Sequence, residues 1–123
     1  MAAAKPIILV VDDEALVRFA AADILEQGGF AVEEAANAEN AMRVMEARKN
    51  IRLLFTDIHL PGPYDGLELA RRVRKRWANV RFIITSGRQQ PDASEMPGEG
   101  YFLAKPYSDR DLLACATELI GRP

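Results

Sequence analysis

The stretch from Ile51 to Gly66 reads Ile-Arg-Leu-Leu-Phe-Thr-Asp-Ile-His-Leu-Pro-Gly-Pro-Tyr-Asp-Gly. Its apolar run stops at a single carboxylate, Asp57, and a Pro-Gly-Pro turn follows. A buried strand that carries an acid at its carboxyl end is a common way to build a reactive site in an open α/β sheet. We therefore take Asp57 as the residue around which the rest of the chain is organised.

Strands and helices are predicted to alternate on both sides of this stretch. Apolar runs predict five strands, at residues 7–11, 30–35, 53–56, 80–85 and 101–104. Asn37 and Ser108 are typical helix N-cap residues, and Glu33 and Glu34 favour an edge position for the second strand. The alternation predicts an α/β fold with a doubly wound, five-stranded parallel sheet and helices on both faces.

Length and composition favour one domain of 123 residues, with a core from about residue 7 to 120. The formal charge of −2 gives no reason to expect a nucleic-acid or membrane partner. The first six residues lack the apolar segment of a signal peptide, and no apolar run approaches the roughly 18 residues of a membrane span. We expect a cytoplasmic location.

The lone Cys115 is interpreted as a small buried hydrophobe, with a redox or catalytic thiol as the alternative.

One basic run, from Arg71 to Arg76, invites comparison with nucleic-acid-binding proteins. On a helix these long cationic side chains cover the exposed side, where they usually serve only as a solvated surface. The chain has no recognition module such as a helix-turn-helix. We therefore favour a protein contact over nucleic acid for this run.

Polar residues follow four of the five predicted strands. They are Asp12 and Asp13 after the first strand, Asp57 after the third, Ser86 after the fourth and Lys105 after the fifth. The carboxyl ends of parallel strands share one edge of the sheet, so these side chains are predicted to meet there. Taken singly, Asp12 and Asp13, Ser86 and Lys105 have plainer interpretations, as a helix cap with a first-turn acid, a turn residue and a solvated lysine.

The chemistry of this set points to phosphoryl transfer. Three neighbouring carboxylates repel one another unless some are protonated or a cation is shared, and a purely oxygen ligand set favours Mg²⁺. Lys105 and Ser86 supply a positive charge and a hydroxyl that suit phosphoryl oxygens. An ionised Asp57 could then attack phosphorus and form an aspartyl phosphate.

Five segments together resemble the receiver domain of two-component response regulators. They are Val10-Val11-Asp12-Asp13-Glu14, Thr56-Asp57-Ile58-His59-Leu60-Pro61, Asp65-Gly66-Leu67-Glu68-Leu69, Thr85-Ser86-Gly87 and Lys105-Pro106-Tyr107. The resemblance extends from about Ile7 to Ile120, and it implies the flavodoxin-like fold with strand order 2-1-3-4-5. It also implies a signalling protein, a monomer or weak dimer, that catalyses only its own phosphorylation and dephosphorylation.

The resemblance implies a role for each site residue. Asp57 would accept a phosphoryl group from a histidine kinase or a histidine phosphotransfer protein, and the aspartyl phosphate would then switch the binding of a downstream protein or pass phosphate on. Asp13 would bind Mg²⁺ directly and Asp12 mainly through water, with Asp57 and the backbone carbonyl of His59 as further ligands.

Other positions would report or modulate the phosphorylated state. Ser86 would move towards the phosphoryl group and Lys105 would pair with it, while Phe102 would occupy the aromatic switch position. Phe102 is otherwise simply an apolar strand residue. His59 and Arg88 would modulate hydrolysis of the aspartyl phosphate, either by screening the attacking water or through a contact between Arg88 and the phosphate.

Two segments depart from the family pattern. The turn that contains Tyr64 is one residue longer than usual. Residues 88–100, where the resemblance implies a helix between the fourth and fifth strands, contain two prolines, two glycines and almost no apolar stripe. We predict that this helix is short or distorted, and that the segment becomes ordered on phosphorylation.

Three alternatives remain beside a stand-alone receiver, which Met1 and the ending Gly121-Arg122-Pro123 favour. The chain could be a receiver taken from a larger hybrid kinase or regulator. It could be a phosphohydrolase with an aspartyl nucleophile, although His59 stands where such enzymes have a second acid and no cap domain is present. It could also be an interaction module that needs no phosphorylation, which would leave the site residues unexplained.

Overall fold

The computed structural model describes residues 5–88, 90–98 and 100–123. These residues form a parallel sheet whose order is β2-β1-β3-β4-β5. The strands are β1 (Ile7–Val11), β2 (Ala31–Ala35), β3 (Ile51–Asp57), β4 (Arg81–Ser86) and β5 (Gly100–Ala104). The helices are α1 (Ala15–Gln27), α2 (Ala38–Ala47), α3 (Gly66–Arg76) and α4 (Asp109–Ile120). The predicted α/β fold and strand order are confirmed.

The central strands are buried on both faces of the sheet, as their continuous apolar runs predicted. Alternate side chains of β1 point to opposite faces, as the two-residue period of a strand requires. Leu9 packs in one core with residues of α2 and α3, whereas Ile8 packs in a second core with residues of α1 and α4. Helices therefore cover both faces of the sheet.

Helix starts and the edge strand agree with the sequence pattern. The side chain of Asn37 accepts a hydrogen bond from the backbone of Asn40 at 2.7 Å, and Ser108 accepts one from Asp111 at 3.0 Å. Each cap satisfies a backbone N–H that the first turn of a helix leaves without a partner. β2, with its two glutamates, lies at an edge of the sheet.

The segment between β4 and β5 contains no helix among residues 87–88 and 90–98. The predicted short or distorted helix is reduced to one turn, closed by a 2.9 Å hydrogen bond from the amide of Glu95 to the carbonyl of Asp92. Pro91 and Pro97 are both buried, and Met96 packs against the core beside α3. Residues 1–4, Gln89 and Glu99 lie outside the described residues.

Cys115 is half-buried at the margin of the core shared by α1 and α4, and burial raises the pKa of its thiol, with a smaller contribution from the charge of Glu118. No helix among the described residues is both long and apolar enough to cross a membrane.

Candidate functional site

The carboxyl edge of the sheet holds a cleft of about 550 Å³. Its lining includes Asp13, Asp57, His59, Arg88 and Lys105, which the sequence assigned to one site. β3 and β4 end at Asp57 and Ser86, while Asp12 and Lys105 directly follow β1 and β5. The parallel sheet therefore brings together residues that are up to 93 positions apart in the chain.

Three carboxylates converge in this cleft. Asp12 and Asp57 are 4% and 6% exposed, whereas Asp13 is exposed to solvent. One carboxylate oxygen from each residue lies within 4.8 Å of the other two. Because buried anions are costly without a compensating cation, this all-oxygen donor set fits a hard divalent cation such as Mg²⁺.

Lys105 joins two of these carboxylates. Its Nζ lies 3.0 Å from Oδ2 of Asp12 and 3.3 Å from Oδ2 of Asp57. Burial lowers the pKa of the ammonium, but the hydrogen bond to Asp12 and the charges of both carboxylates more than offset this, so the pKa is raised. Lys105 is therefore charged at neutral pH and neutralises part of the acidic cluster.

The backbone around Asp57 depends on a close approach by α3. Gly66, the first residue of α3, donates its amide to the carbonyl of Ile58 at 2.8 Å. A Cβ at position 66 would lie 1.9 Å from the carbonyl oxygen of Asp57, which no side chain tolerates without a backbone shift. The amide of His59 reaches Oδ1 of Asp57 at 3.4 Å. Glycine at position 66 thus allows α3 to pack directly behind the carboxylate.

The turn that carries Asp12 and Asp13 is held from two sides. The amide of Glu14 donates to Oδ1 of Asp12 at 2.9 Å, and Nη1 of Arg18 donates to the backbone carbonyl of Asp12 at 2.8 Å. Sequence reasoning missed Arg18. A signal was present, because Arg18 is the single charged residue in the otherwise apolar run Ala15–Ala22.

Of the remaining predicted residues, His59 and Arg88 line the cleft, whereas Ser86 and Phe102 are not part of its lining. The Oγ of Ser86 accepts a hydrogen bond from the amide of Arg88 at 3.1 Å, and the Arg88 side chain is exposed. Phe102 is half-buried against the core that includes α3. Nε2 of His59 is buried and has no hydrogen-bond partner among the described residues. The functional roles assigned to these residues, and to the His59 carbonyl, stay predictions.

Comparison with known proteins identifies the class to which this fold and site belong. The response regulator receiver domain family matches residues 8–117, and the chain belongs to this family. Receiver domains are signalling modules of two-component systems, in which histidine kinases act on them and they act on downstream targets. The resemblance inferred from the five sequence segments is thereby confirmed.

Curated relatives are longer than this chain. The transcriptional regulatory protein ResD of Bacillus subtilis is 31% identical over 118 residues, which cover 94% of this chain and 48% of ResD. The aerobic respiration control protein ArcA of Escherichia coli K12 is 32% identical over 120 residues, 95% of this chain and 49% of ArcA. The matched part of the sensor kinase CckA of Brucella abortus, 31% identical, is 12% of that protein. The chain thus spans about half the length of the two regulators and far less of the kinase.

Solved structures share the fold over nearly their full length. A response regulator receiver protein from Sinorhizobium medicae superposes with a TM-score of 0.87 at 27% identity, covering 94% of each chain. The response regulator TrrA from Thermotoga maritima, in complex with Mg²⁺-BeF, superposes with a TM-score of 0.83 at 27% identity, covering 94% of this chain and 99% of TrrA.

Proposed function

We propose that Asp57 accepts a phosphoryl group from a phosphohistidine, and that the aspartyl phosphate switches the binding of a downstream protein or relays the phosphate. The observation that supports this most directly is the convergence of Asp12, Asp13 and Lys105 on Asp57. One carboxylate oxygen each of Asp12, Asp13 and Asp57 lies within 4.8 Å of the other two, and the ammonium of Lys105 lies 3.3 Å from Asp57.

In this reaction an oxygen of the Asp57 carboxylate attacks phosphorus. The new O–P bond forms as the N–P bond to the donor imidazole breaks, and the electron pair and a proton remain with the imidazole. Asp12, Asp13 and Asp57 would hold Mg²⁺, which supplies positive charge against the carboxylates and the phosphoryl oxygens. Lys105 turns from the carboxylates to an equatorial phosphoryl oxygen, where its charge is most effective in the transition state.

An apolar groove beside the cleft is a suitable place for the donor to dock. This groove of about 530 Å³ lies between α1 and the residues after β5, and its lining includes Leu16, Ala20, Pro106 and Tyr107. Leu16 is 83% exposed, and the neighbouring Phe19 is also exposed. Exposed apolar side chains beside an apolar groove suit a contact with another protein. Lys105 lines both the groove and the cleft, so a histidine carried by a docked helix would face Asp57.

The structural response to phosphorylation would pass through Ser86 and Phe102. Ser86 would rotate towards the phosphoryl group and Phe102 would move inward, carrying the segment of residues 90–98 with it. Such a receiver would catalyse only its own phosphorylation and dephosphorylation and would not turn over external substrates. Its proposed location is the cytoplasm. His59 and Arg88 border the phosphoryl position and would set the rate at which water removes the group.

The proposal is tested by incubation with Mg²⁺ and acetyl phosphate, followed by intact mass measurement. The wild-type protein gains one phosphoryl group, and Asp57→Asn gains none. Asp65→Asn is the matched control, because Asp65 lines the same cleft and asparagine also caps a helix. Absence of an adduct with acetyl phosphate and with every histidine-phosphorylated donor would refute phospho-acceptance. Sustained release of phosphate from many esters would favour the hydrolase alternative.

A further inference from the structure

Arg18 makes two polar contacts that the proposed chemistry does not use. It lies in the second turn of α1, and only 14% of its side chain is exposed. Nη1 donates to the carbonyl of Asp12 at 2.8 Å, and Nε lies 3.1 Å from Oε1 of Glu34 on the edge strand β2. The guanidinium also lies over the ring of Phe19, 5.1 Å from its centroid. None of these contacts is with Asp57 or Lys105.

The carbonyl that Arg18 holds belongs to the peptide between Asp12 and Asp13. A peptide unit is planar, so fixing its oxygen also fixes the direction in which the Asp13 Cα leaves it. The Asp12 carboxylate is held independently, by Lys105 and by the amide of Glu14. Among the described residues, the exposed carboxylate of Asp13 has no hydrogen-bond or ion-pair partner. Its direction therefore depends on the backbone that Arg18 holds.

We propose that Arg18 is a positioning residue that orients Asp13 towards the metal position and thereby raises the affinity for Mg²⁺. Glu34 completes the arrangement because it fixes the guanidinium from the edge strand. This inference rests on the proposed Mg²⁺ site and adds a residue that acts on the ligands without touching the metal. Partners of this kind, which hold a ligand in place, commonly change metal affinity by about 10-fold or more when removed.

Charge and positioning predict opposite outcomes, which makes the inference decidable. The guanidinium is a cation near a cation site, so loss of its charge alone would tighten Mg²⁺ binding. Loss of its hold on the Asp12 carbonyl would weaken Mg²⁺ binding, because the Asp13 carboxylate would have to be ordered at the moment of binding. The direction of the change in affinity therefore separates the two effects.

The test is a Mg²⁺ titration of the folded proteins, monitored through amide NMR shifts and by calorimetry. We expect Arg18→Ala to bind Mg²⁺ about 10-fold more weakly than wild type. Arg18→Lys should recover part of this loss through one hydrogen bond, and Glu34→Ala should weaken binding in the same direction by a smaller factor. In the metal-free protein, Arg18→Ala should also speed amide exchange at Asp13 relative to wild type.

Arg43→Ala is the control for charge and for the loss of an ion pair. Arg43 pairs with Glu39 at 3.1 Å, the same separation as the pair of Arg18 with Glu34, but both partners are exposed on α2. Its Mg²⁺ affinity should equal that of wild type. Unchanged or tighter binding in Arg18→Ala overturns the role of Arg18 and leaves the proposed function intact. If Arg18→Ala does not fold, the same decision falls to Arg18→Lys and Glu34→Ala. Failure of the wild type to bind Mg²⁺ overturns both.

Discussion

Replacing Lys105 with methionine removes the charge that two buried carboxylates share. The ammonium lies 3.0 and 3.3 Å from Asp12 and Asp57, and its side chain is 19% exposed. Removing one partner of a buried ion pair costs about 3–5 kcal/mol, and partial exposure places this site at the low end. We therefore expect Lys105→Met to lose about 3 kcal/mol of the free energy of unfolding in metal-free solution.

Mg²⁺ should reverse most of that loss. At the proposed Mg²⁺ site the ammonium and the metal would compete for the same carboxylates, so Lys105→Met should bind Mg²⁺ more tightly. A ligand that binds only the folded state stabilises it by about 2.7 kcal/mol at 100 times its dissociation constant. The variant should gain more stability from a given Mg²⁺ concentration than the wild type does. It should also accept phosphate more slowly, because the ammonium no longer offsets the negative charge of the phosphoryl oxygens.

Urea unfolding with and without Mg²⁺ measures both quantities. Arg43→Met is the control, since it removes an exposed cation of α2 that does not line the cleft. If Mg²⁺ stabilises Lys105→Met no more than the wild type, the competition inferred from the two short distances is wrong.

The pKa of Lys105 is raised in the folded protein. Its contribution to the free energy of unfolding is therefore fully present below its unfolded pKa near 10.5 and is lost as the pH rises through the folded pKa. The stability difference should therefore be constant between about pH 6 and 9.

Three further predictions concern the packing of the site, the segment between β4 and β5, and Cys115. Gly66→Ala should lose about 2–3 kcal/mol of stability and slow the proposed phosphorylation, because its Cβ would lie 1.9 Å from the backbone oxygen of Asp57. Gly87→Ala, whose Cβ would meet nothing nearer than 3.6 Å, should leave urea unfolding and the phosphorylation rate nearly unchanged. Arg71→Ala should speed hydrogen exchange in residues 91–97, whereas Arg72→Ala, which loses a similar pair with the same glutamate but does not touch the segment, should not. Equal exchange in the two variants would show that the guanidinium does not anchor the segment. The thiol of Cys115, its pKa raised mainly by burial, should react with a disulfide reagent at pH 8 several-fold more slowly in the folded protein than in urea; equal rates would contradict the burial.

Sequence reasoning succeeded where one strong local pattern decided the structure. The unbroken apolar run of β1 predicted burial on both faces, and Ser108 and Asn37 predicted helix starts. It placed the start of β3 two residues late, because the charged Arg52 interrupts the apolar pattern. In the structure the pairing of β1 with β3 shifts register at this point, and Arg52 is exposed while Ile51 still pairs with β1.

Sequence reasoning failed where a contact joins groups from different elements. Arg18 meets a carbonyl six residues away and a glutamate sixteen residues away, and neither pairing has a periodic signature. Gly66 belongs to one of the five family segments, but the physical need for glycine there has no local signature, since it arises from the approach of α3 to the end of β3. Such contacts depend on how strands and helices pack, which local patterns do not specify.

The basic run of α3 contacts residues 90–98, the described stretch before β5, which contains no helix. Nη2 of Arg71 lies 3.4 Å from the carbonyl of Glu95. A Cβ at Gly98 would lie 2.7 Å from the guanidinium carbon of Arg74, and the backbone there has a positive φ that disfavours other residues. A helix would satisfy its own backbone groups, whereas this segment takes a hydrogen bond and packing contacts from α3. A change in the position of residues 91–98 must therefore alter contacts with α3, and we infer that Arg71 and Arg74 take part in the proposed response to phosphorylation rather than in nucleic-acid binding.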